Sequence, residues 1–503
     1  MKLNFEREAI GYPMSLLRLL IPALDREVGT NWAESTLSRA VFHRAGTKTE
    51  SLSEQQTASN QLRYYTKFRV ERGLHYLAKD FADKLPQKVE LHVTGLPSDP
   101  DGQFVRSLAN AGKLDLVVHA DAESEDWYHI DPRVGRLVHI LSDIKLHQMP
   151  ERSLAEYMSE LLTFGDSWTA RLVADAYLEA VDDISPLMAD KLGIAFALQA
   201  EPAIAEKMWK IWRSLGGIEE ARACYSLAML YARHYPDALR DMRIAEGFLS
   251  EAWELLVDEP ASTKRDYEAV FNRNGFALLL FRAEKYTEAR ELLEEGLHIL
   301  DATEYAEGIH YSVLTENLAR VCHAMGDAES AERYFKKTID LDANFAEYHQ
   351  DYALFLCDSG RYSEALAEVE ETINLDPSMP EAYRLSGYIF MQLGDYERAR
   401  DSYFSAYKLS GKTEIILDTL RASHEASTYD WSLAFANVLD DLPLSIDDRV
   451  EATLLLLQAR ASQDGSVDID DELEKLRRCF PDNELLLENI HMRERDRKLD
   501  GRG

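Results

Sequence analysis

Residues 380–410 read PEAYRLSGYIFMQLGDYERARDSYFSAYKLS and predict two packed helices. Apolar and small residues recur at helical spacing in EAYRLSGYIFMQL and again in ERARDSYFSAYKL. Gly394 lies between the two segments, where a residue that tolerates positive φ can end the first helix. Gly387 and Ala399 are small at positions where the helices would cross, and a larger side chain there would wedge them apart. The stretch therefore predicts one helix pair.

Residues of this stretch recur at a spacing of 34 in three columns: Gly326, Gly360 and Gly394; Ala331, Ala365 and Ala399; Leu341, Leu375 and Leu409. A fixed period of this length is the mark of a repeat architecture. One such helix pair cannot bury its apolar face alone, so neighbouring pairs must stack into a superhelix. The period therefore predicts a solenoid of helix pairs.

The repeated columns resemble the tetratricopeptide repeat family. The last unit carries that family's signature most fully, at Tyr383, Ser386, Gly387, Phe390, Gly394, Tyr396, Ala399, Tyr403, Ala406 and Leu409. Two similar units precede it. A fourth unit, from about Phe271 to Leu300, is followed by about eight extra residues. A weaker fifth, Ala221 to Leu256, has an insertion near His234 to Asp241. The resemblance implies a mainly α fold, a right-handed TPR-type α-solenoid.

The hydrophobic patterns of the other segments divide the rest of the chain into parts. KVELHVT and LDLVVH predict strands, QFVRSLANAG and RVGRLVHILSDI predict helices, and WYHID (127–131) is a candidate third strand. In WKIW, Trp209 and Trp212 lie one helical turn apart and are expected to pack between repeats. We predict six parts: 1–86, an N-terminal helical region; 87–150, a small α/β or winged-helix-like module; 151–220, degenerate helical repeats; 221–412, the solenoid; 413–490, a C-terminal helical cap; and 491–503, a flexible tail.

Two further resemblances compete for residues 87–150. Strand, loop, helix and strand look like the start of a P-loop ATPase, but Asp101 and Gly102 stand where a lysine and a hydroxyl residue should bind phosphates. Alternatively, Gln103 to Ile144 looks like a winged-helix module. Its loop AESEDW carries acids where a DNA-binding wing would carry bases. Neither resemblance therefore predicts nucleotide or DNA binding.

Composition limits the partners. The 56 basic and 89 acidic residues give a formal net charge of −33. A field of that sign repels phosphate backbones and anionic lipid, so the sequence predicts neither nucleic-acid nor membrane binding. Glu6 and Glu8 lie where a signal peptide would be free of acids, which favours a cytoplasmic location. The sequence leaves a homo-oligomer open.

Catalytic and metal-binding patterns are weak. His119 and His129 are each two residues before an aspartate, the spacing of some iron sites, but a facial triad needs a further histidine on a neighbouring strand. The sequence contains no GxSxG elbow, HExxH pair or Gly-rich dinucleotide fingerprint. We therefore predict no catalytic residue, no metal site and no cofactor. The question of enzymatic activity stays open.

In the family, the first helix of each repeat lines a concave groove. Carried over by register, the resemblance implies a partner-binding groove lined by Arg233, Asn274, Phe281, Arg282, Arg320, His323, Gln350, Arg384, Tyr388 and Gln392. The four arginines allow two interpretations. They could hold carboxylates or backbone carbonyls of an extended partner segment. Alternatively, they pair with Glu316, Glu347 and Asp358 inside the same groove.

These features lead to three hypotheses. The first is a non-catalytic scaffold or adaptor that holds a protein or peptide partner in the concave groove. The second is a regulator in which the solenoid senses a peptide or ligand and the N-terminal module is the output. The third is an enzyme whose site lies in residues 87–150.

Overall fold

A computed structural model of the chain describes residues 2–5, 12–43, 51–52, 65–119, 132–434, 436, 439, 442–463 and 467–500. The chain falls into two compact units, Met1–Tyr348 and His349–Gly503. Helices dominate both units, and one small parallel sheet lies in the first. The predicted fold class, mainly α with a small N-terminal α/β module, is therefore confirmed. The six-part division of the chain stays a prediction.

The N-terminal module is built on three parallel strands in the order β1-β2-β3, with Leu3 opposite Leu91 and Leu91 opposite Leu116. The elements are β1 Lys2–Phe5, α1 Leu17–Val28, α2 Arg39–Phe42, α3 Tyr65–Lys84, β2 Val89–Val93, α4 Asp101–Asn110 and β3 Leu114–Val118. The two predicted strands and the helix between them are confirmed. The sequence did not predict β1, which lies in a region expected to be helical. The candidate strand at 127–131 and the AESEDW loop lie outside the described residues.

The core of this module forms where α1 and α3 meet β2. Leu20, Leu77, Phe81 and Leu91 have no exposed surface and belong to one apolar cluster. Asp101, at the start of α4, is also fully buried, and its Oδ1 accepts a hydrogen bond from the backbone N–H of Leu17 at 2.8 Å. The residue that stands at the lysine position of a P-loop therefore holds the start of α1. The P-loop resemblance is not supported.

The rest of the first unit is helical: α5 Pro132–Lys145, α6 Glu151–Phe164, α7 Ser167–Ala180, α8 Pro186–Leu198, α9 Pro202–Trp212, α10 Gly217–Met229, α11 Met242–Asp258, α12 Thr263–Arg282, α13 Tyr286–Asp301, α14 Ile309–Ala324 and α15 Ala328–Leu341. Trp209 and Trp212 are buried, as expected from WKIW. The insertion after α10 contains a π-helical segment, Leu230–His234, and a short 3-10 turn, Asp237–Leu239.

The second unit contains α17 Tyr362–Leu375, α18 Pro380–Leu393, α19 Tyr396–Ser410, α20 Thr413–Glu425, α21 Tyr429–Ala434, α22 Ile446–Gln463, α23 Ile469–Cys479 and α24 Glu484–Asp500. The helix α16 Ala346–Asp358 contains the boundary between the units. Ser445 Oγ accepts the backbone N–H of Asp448 at 3.1 Å and caps the start of α22. Residues 491–500, expected in a flexible tail, belong to α24. No helix among the described residues has the length and hydropathy needed to cross a membrane.

The same backbone geometry recurs at the corner between the two helices of a pair. A residue with φ between 56° and 83° occupies the corner at Gly165, Ala200, Glu284, Gly326, Gly360, Gly394 and Ser427. At each corner the next residue donates its N–H to the carbonyl five residues earlier, at 2.9 to 3.0 Å. This is the main hydrogen bond of the Schellman motif. The three glycines spaced 34 apart thus occupy equivalent corners, as predicted, and the same corner extends to pairs outside the clear repeats.

Glu284 is the corner residue best suited to a stability test, because a side chain with a Cβ is strained at its φ of 59°. We expect Glu284→Gly to raise the free energy of unfolding of the first unit by roughly 0.5–1 kcal/mol. The matched control, Gly326→Ala, imposes the reverse strain at the equivalent corner and should lower that free energy by a similar amount. Urea unfolding followed by circular dichroism measures both. Changes of the same sign in the two variants would contradict the shared corner geometry.

Candidate partner-binding surface

Three successive first helices of the first unit, α10, α12 and α14, meet through side chains near the predicted groove positions. The rings of Tyr225 and Phe271 are 4.4 Å apart between centroids, and those of Phe271 and His310 are 4.6 Å apart. Farther along, Asn317 Nδ2 donates to Asn274 Oδ1 at 2.8 Å. These contacts join one face of each helix to the next. We call the face formed by these five residues the inner wall.

The end of the inner wall nearest the start of α10 is closed by an internal charge network. Arg222 contacts Glu219 at 3.0 Å and Glu268 at 3.3 Å. Burial raises the pKa of Glu268, and the charge of Arg222 opposes that rise. The pKa of Glu219 is lowered, because the charges of Arg222 and Lys264 outweigh its burial. These groups satisfy one another, so they are poor candidates for contact with a partner.

The six predicted site residues of the first unit have different surroundings. Asn274 lies in the inner wall, and Phe281 is half-buried with its ring 5.4 Å from that of Tyr286. Arg320 pairs with Glu316 at 2.8 Å, and His323 is half-buried. Arg282 is exposed and donates from Nη1 to the carbonyl of Ala232. Arg233 is exposed and makes no ion pair with any residue that the structure describes.

The tetratricopeptide repeat family matches residues 267–344 and, separately, residues 353–412. The chain therefore contains tetratricopeptide repeats (TPRs) in these two ranges. The matched ranges include all or part of each helix from α12 to α19 and four of the recurring corners, at Glu284, Gly326, Gly360 and Gly394. The TPR resemblance recognised in the sequence is therefore confirmed.

Known TPR proteins resemble parts of the chain. A TPR repeat-containing thioredoxin from Arabidopsis thaliana is 25% identical over 184 residues, which are 34% of this chain and 27% of that protein. A homolog of protein SGT1 from Oryza sativa subsp. japonica is 30% identical over 95 residues, 19% of this chain and 26% of that protein. The chain thus spans about a quarter of the length of these relatives.

Solved structures of TPR proteins match parts of the chain at low sequence identity. YrrB, a TPR protein with an unusual peptide-binding site, is 19% identical with a TM-score of 0.28, over 39% of this chain and 90% of that chain. The C-terminal part of a TPR repeat-containing protein from Cytophaga hutchinsonii is 14% identical with a TM-score of 0.40, over 49% of this chain and 95% of that chain.

The second unit, His349–Gly503, contains the other four predicted site residues. Tyr388 and Gln392 are exposed on α18, as expected for groove positions. Arg384 pairs with Asp418 at 3.0 Å. Gln350 was expected to face a partner, but the structure leaves it only 8% exposed. The repeat register predicts only which face of the helix Gln350 occupies. Tertiary packing decides which neighbours bury that face.

A ladder of alternating charges crosses successive first helices of the second unit. Asp418 of α20 contacts Arg384 of α18 and also Arg421, at 3.0 Å in each case. Arg421 in turn contacts Glu451 of α22 at 2.6 Å. These charges neutralise one another on one face. The ladder supports, for Arg384, the interpretation that groove arginines pair internally, although its partner is Asp418 and not one of the acids named from the sequence.

The two interpretations of the four arginines thus divide between residues. Arg320 and Arg384 pair with acids of their own unit. Arg282 bonds two neutral groups, the carbonyl of Ala232 and the sulfur of Met242, and neither Arg282 nor Arg233 has an ion pair in the described part of the chain. Arg233 and Arg282 therefore keep donors for a partner, whereas Arg320 and Arg384 would have to exchange an internal acid for an external one.

Sequence reasoning missed a contact between the N-terminal module and the start of α16. Arg69 of α3 donates from Nε to Glu347 Oε1 at 2.8 Å, and its Nη2 lies 2.5 Å from Oε2. Its guanidinium group also lies 4.4 Å over the ring of Phe345. Glu347 was a predicted groove position, so one such position in the first unit is engaged by the chain itself. The two residues are 278 positions apart, and no local pattern could have joined them.

The histidines weighed as metal ligands have other surroundings. His92 Nδ1 and His119 Nε2 are 2.7 Å apart, and their rings stack. Asp121, His129 and Asp131 lie outside the described residues. Across the described ranges, no group of three or more His, Cys, Asp or Glu residues is placed to hold a metal ion.

Proposed function

We propose that the chain is a non-catalytic scaffold or adaptor that holds a protein or peptide partner on the inner wall of the first unit. TPR repeats and TPR-containing relatives support a protein-interaction scaffold. The observation that carries the finer proposal is the side-chain continuity of Tyr225, Phe271 and Asn274 with the next helices. A cytoplasmic location is part of the proposal.

The chemistry of the wall suits an extended polypeptide. Phe271 of the wall and Phe281 beside it on α12 are half-buried aromatic side chains that offer apolar contact, and the Asn274–Asn317 pair retains amide groups that can bond a backbone. Exposed guanidinium groups at Arg282 and Arg320 border these residues on the same first helices. A partner segment that crosses the wall would therefore meet apolar, amide and cationic groups in turn.

The test is quantitative affinity capture from the native host with the full chain as bait. We expect Arg282→Glu/Arg320→Glu to reduce recovery of the specific partner at least about tenfold, because it reverses two charges beside the wall. The matched control is Arg243→Glu/Lys336→Glu, which makes the same change of charge on the second helices α11 and α15. Equal recovery by wild type and Arg282→Glu/Arg320→Glu would contradict binding on the inner wall.

A second candidate function is favoured by the Arg69–Glu347 contact. In a regulator of this kind, a ligand on the TPR repeats would compete with α3 for Glu347, and release of α3 would be the output. In the same capture, Arg69→Ala should then increase recovery of the partner, whereas a pure scaffold predicts no change. Small-angle scattering of the wild-type and Arg69→Ala chains, each with and without the partner, separates the scaffold from the regulator. A regulator should change its compactness when the partner binds, and Arg69→Ala should abolish that change.

A further inference from the structure

Three arginines meet where the first unit departs from the 34-residue repeat. Arg233 lies in the π-helical segment Leu230–His234, Arg240 follows it in the insertion, and Arg282 is the last residue of α12. All three are exposed. The chain has a formal net charge of −33, so a group of three arginines stands out from its surroundings. We call Arg233, Arg240 and Arg282 the arginine cluster.

Backbone carbonyls near the end of α10 hold two members of the cluster in place. Arg282 donates from Nη1 to the carbonyl of Ala232, and Arg240 donates from Nε to the carbonyl of Tyr235 at 2.9 Å. Carbonyls at the end of a helix lack intrahelical donors and carry partial negative charge, which suits them to cations. A guanidinium group has five N–H donors, so each of these bonds leaves most of them free for another acceptor.

The cluster is short of negative charge. Arg240 contacts Asp237 at 2.6 Å, but the side chain of Asp237 is 87% exposed. Arg282 bonds a neutral carbonyl, and no described residue forms an ion pair with Arg233. Burial and the charges of Arg233 and Arg240 lower the pKa of Arg282. Burial and the three arginine charges hold the pKa of His234 at about 3, so this histidine stays neutral and adds no charge.

The cluster adjoins the inner wall. Arg233 lies two helical turns beyond Tyr225, and burial raises the pKa of Tyr225 while the nearby charge of Arg233 opposes the rise. Arg282 follows Phe281 directly on α12. A segment that lies on the wall would therefore reach the guanidinium groups at the end of α10 and α12.

We propose that the arginine cluster binds an oxyanion of the partner peptide, either the carboxylate of an Asp or Glu side chain or the phosphoryl group of a phosphorylated residue. The planar fork of a guanidinium group matches both anions in a bidentate geometry. This inference rests on the proposed function, and it adds the chemical group that is recognised. Arg240 comes from the insertion, so the site is specific to this repeat and not a property of each helix pair.

The test uses three degenerate peptide libraries with the same random flanks and a fixed central Glu, phosphoserine or Gln. The immobilised full chain should retain the Glu or the phosphoserine library at least about tenfold better than the Gln library. The double variant Arg233→Ala/Arg282→Ala should lose that preference and keep its retention of the Gln library. The control Arg243→Ala/Lys336→Ala removes the same charge from second helices and should keep the preference.

The outcomes separate the two anions and the two proposals. Preference for the Glu library alone indicates a carboxylate, preference for the phosphoserine library alone indicates a phosphoryl group, and each supports the cluster. Equal retention of all three libraries, or an unchanged preference in Arg233→Ala/Arg282→Ala, overturns the cluster and leaves the inner wall standing. Retention of none of the libraries overturns both anion binding by the arginine cluster and peptide binding on the inner wall. Thermal unfolding of each variant checks that it is folded, and the charge-preserving Arg233→Lys/Arg282→Lys should retain part of the preference.

Discussion

Replacing Gly193 by alanine is expected to lower the free energy of unfolding of the first unit by roughly 2–3 kcal/mol. A Cβ at this position would lie 2.2 Å from Nε1 and 2.5 Å from Cδ1 of Trp209. Trp209 has no exposed surface, so its indole ring has no solvent to move into, and close-packed interiors yield little. Urea unfolding followed by circular dichroism and tryptophan fluorescence measures the loss.

Two further variants show whether the contact with Trp209 is the cause. Gly135→Ala in α5 adds a Cβ with no neighbour within 4 Å, and should raise stability by about 0.5–1 kcal/mol through helix propensity alone. In a chain that already carries Trp209→Leu, the added cost of Gly193→Ala should shrink, because the ring that blocks the new methyl group is gone. A Gly193→Ala chain as stable as wild type would contradict the close packing of α8 on α9.

The second large effect is a dependence of stability on pH that arises at Asp101. Burial raises the pKa of Asp101 to about 7, against the opposing hydrogen bond from Leu17 and the charge of Arg18. An unfolded aspartate has a pKa of about 3.9. The native state therefore holds more protons between these values. The contribution of Asp101 to stability is complete below about pH 4 and is lost as pH rises through about 7.

Asp101→Asn should remove this dependence. The amide oxygen can still accept the N–H of Leu17, and no charge is buried at high pH. We expect the variant to be more stable than wild type at pH 8, by on the order of 2 kcal/mol, and close to wild type at pH 4. The control is Asp99→Asn, whose side chain is 48% exposed. Melting temperatures across this range provide the measurement, and an unchanged slope in Asp101→Asn would rule out Asp101 as its source.

The sequence predicted the features of the fold that depend on neighbours along the chain. Gly326, Gly360 and Gly394 were placed at helix corners from their spacing, and all three adopt positive φ there. The two helices of a pair lie within about forty residues of each other in sequence, so a local sequence pattern is enough to predict the pair. The strand β1 escaped prediction because four residues carry too little periodicity to distinguish a strand from a helix start.

The candidate site was predictable only in part. The repeat register correctly predicted that Arg233 and Arg282 are exposed, because helix periodicity determines which face of a helix a residue occupies. It could not show that an insertion brings Arg240 beside them, nor that Gln350 is buried. Those outcomes depend on which other segment packs against the face, and the pattern of one helix does not contain that information.

The sequence by itself determined the repeat, its corners and the net negative charge, since each follows from composition or from the spacing of residues along the chain. Only the tertiary structure decided that Asp101 caps α1, that Arg69 contacts Glu347, and which arginines keep free donors. Each of these is a pairing between residues distant in sequence. Such a pairing exists only after the chain has packed, because packing sets the distance and the burial on which the energy of a charge depends.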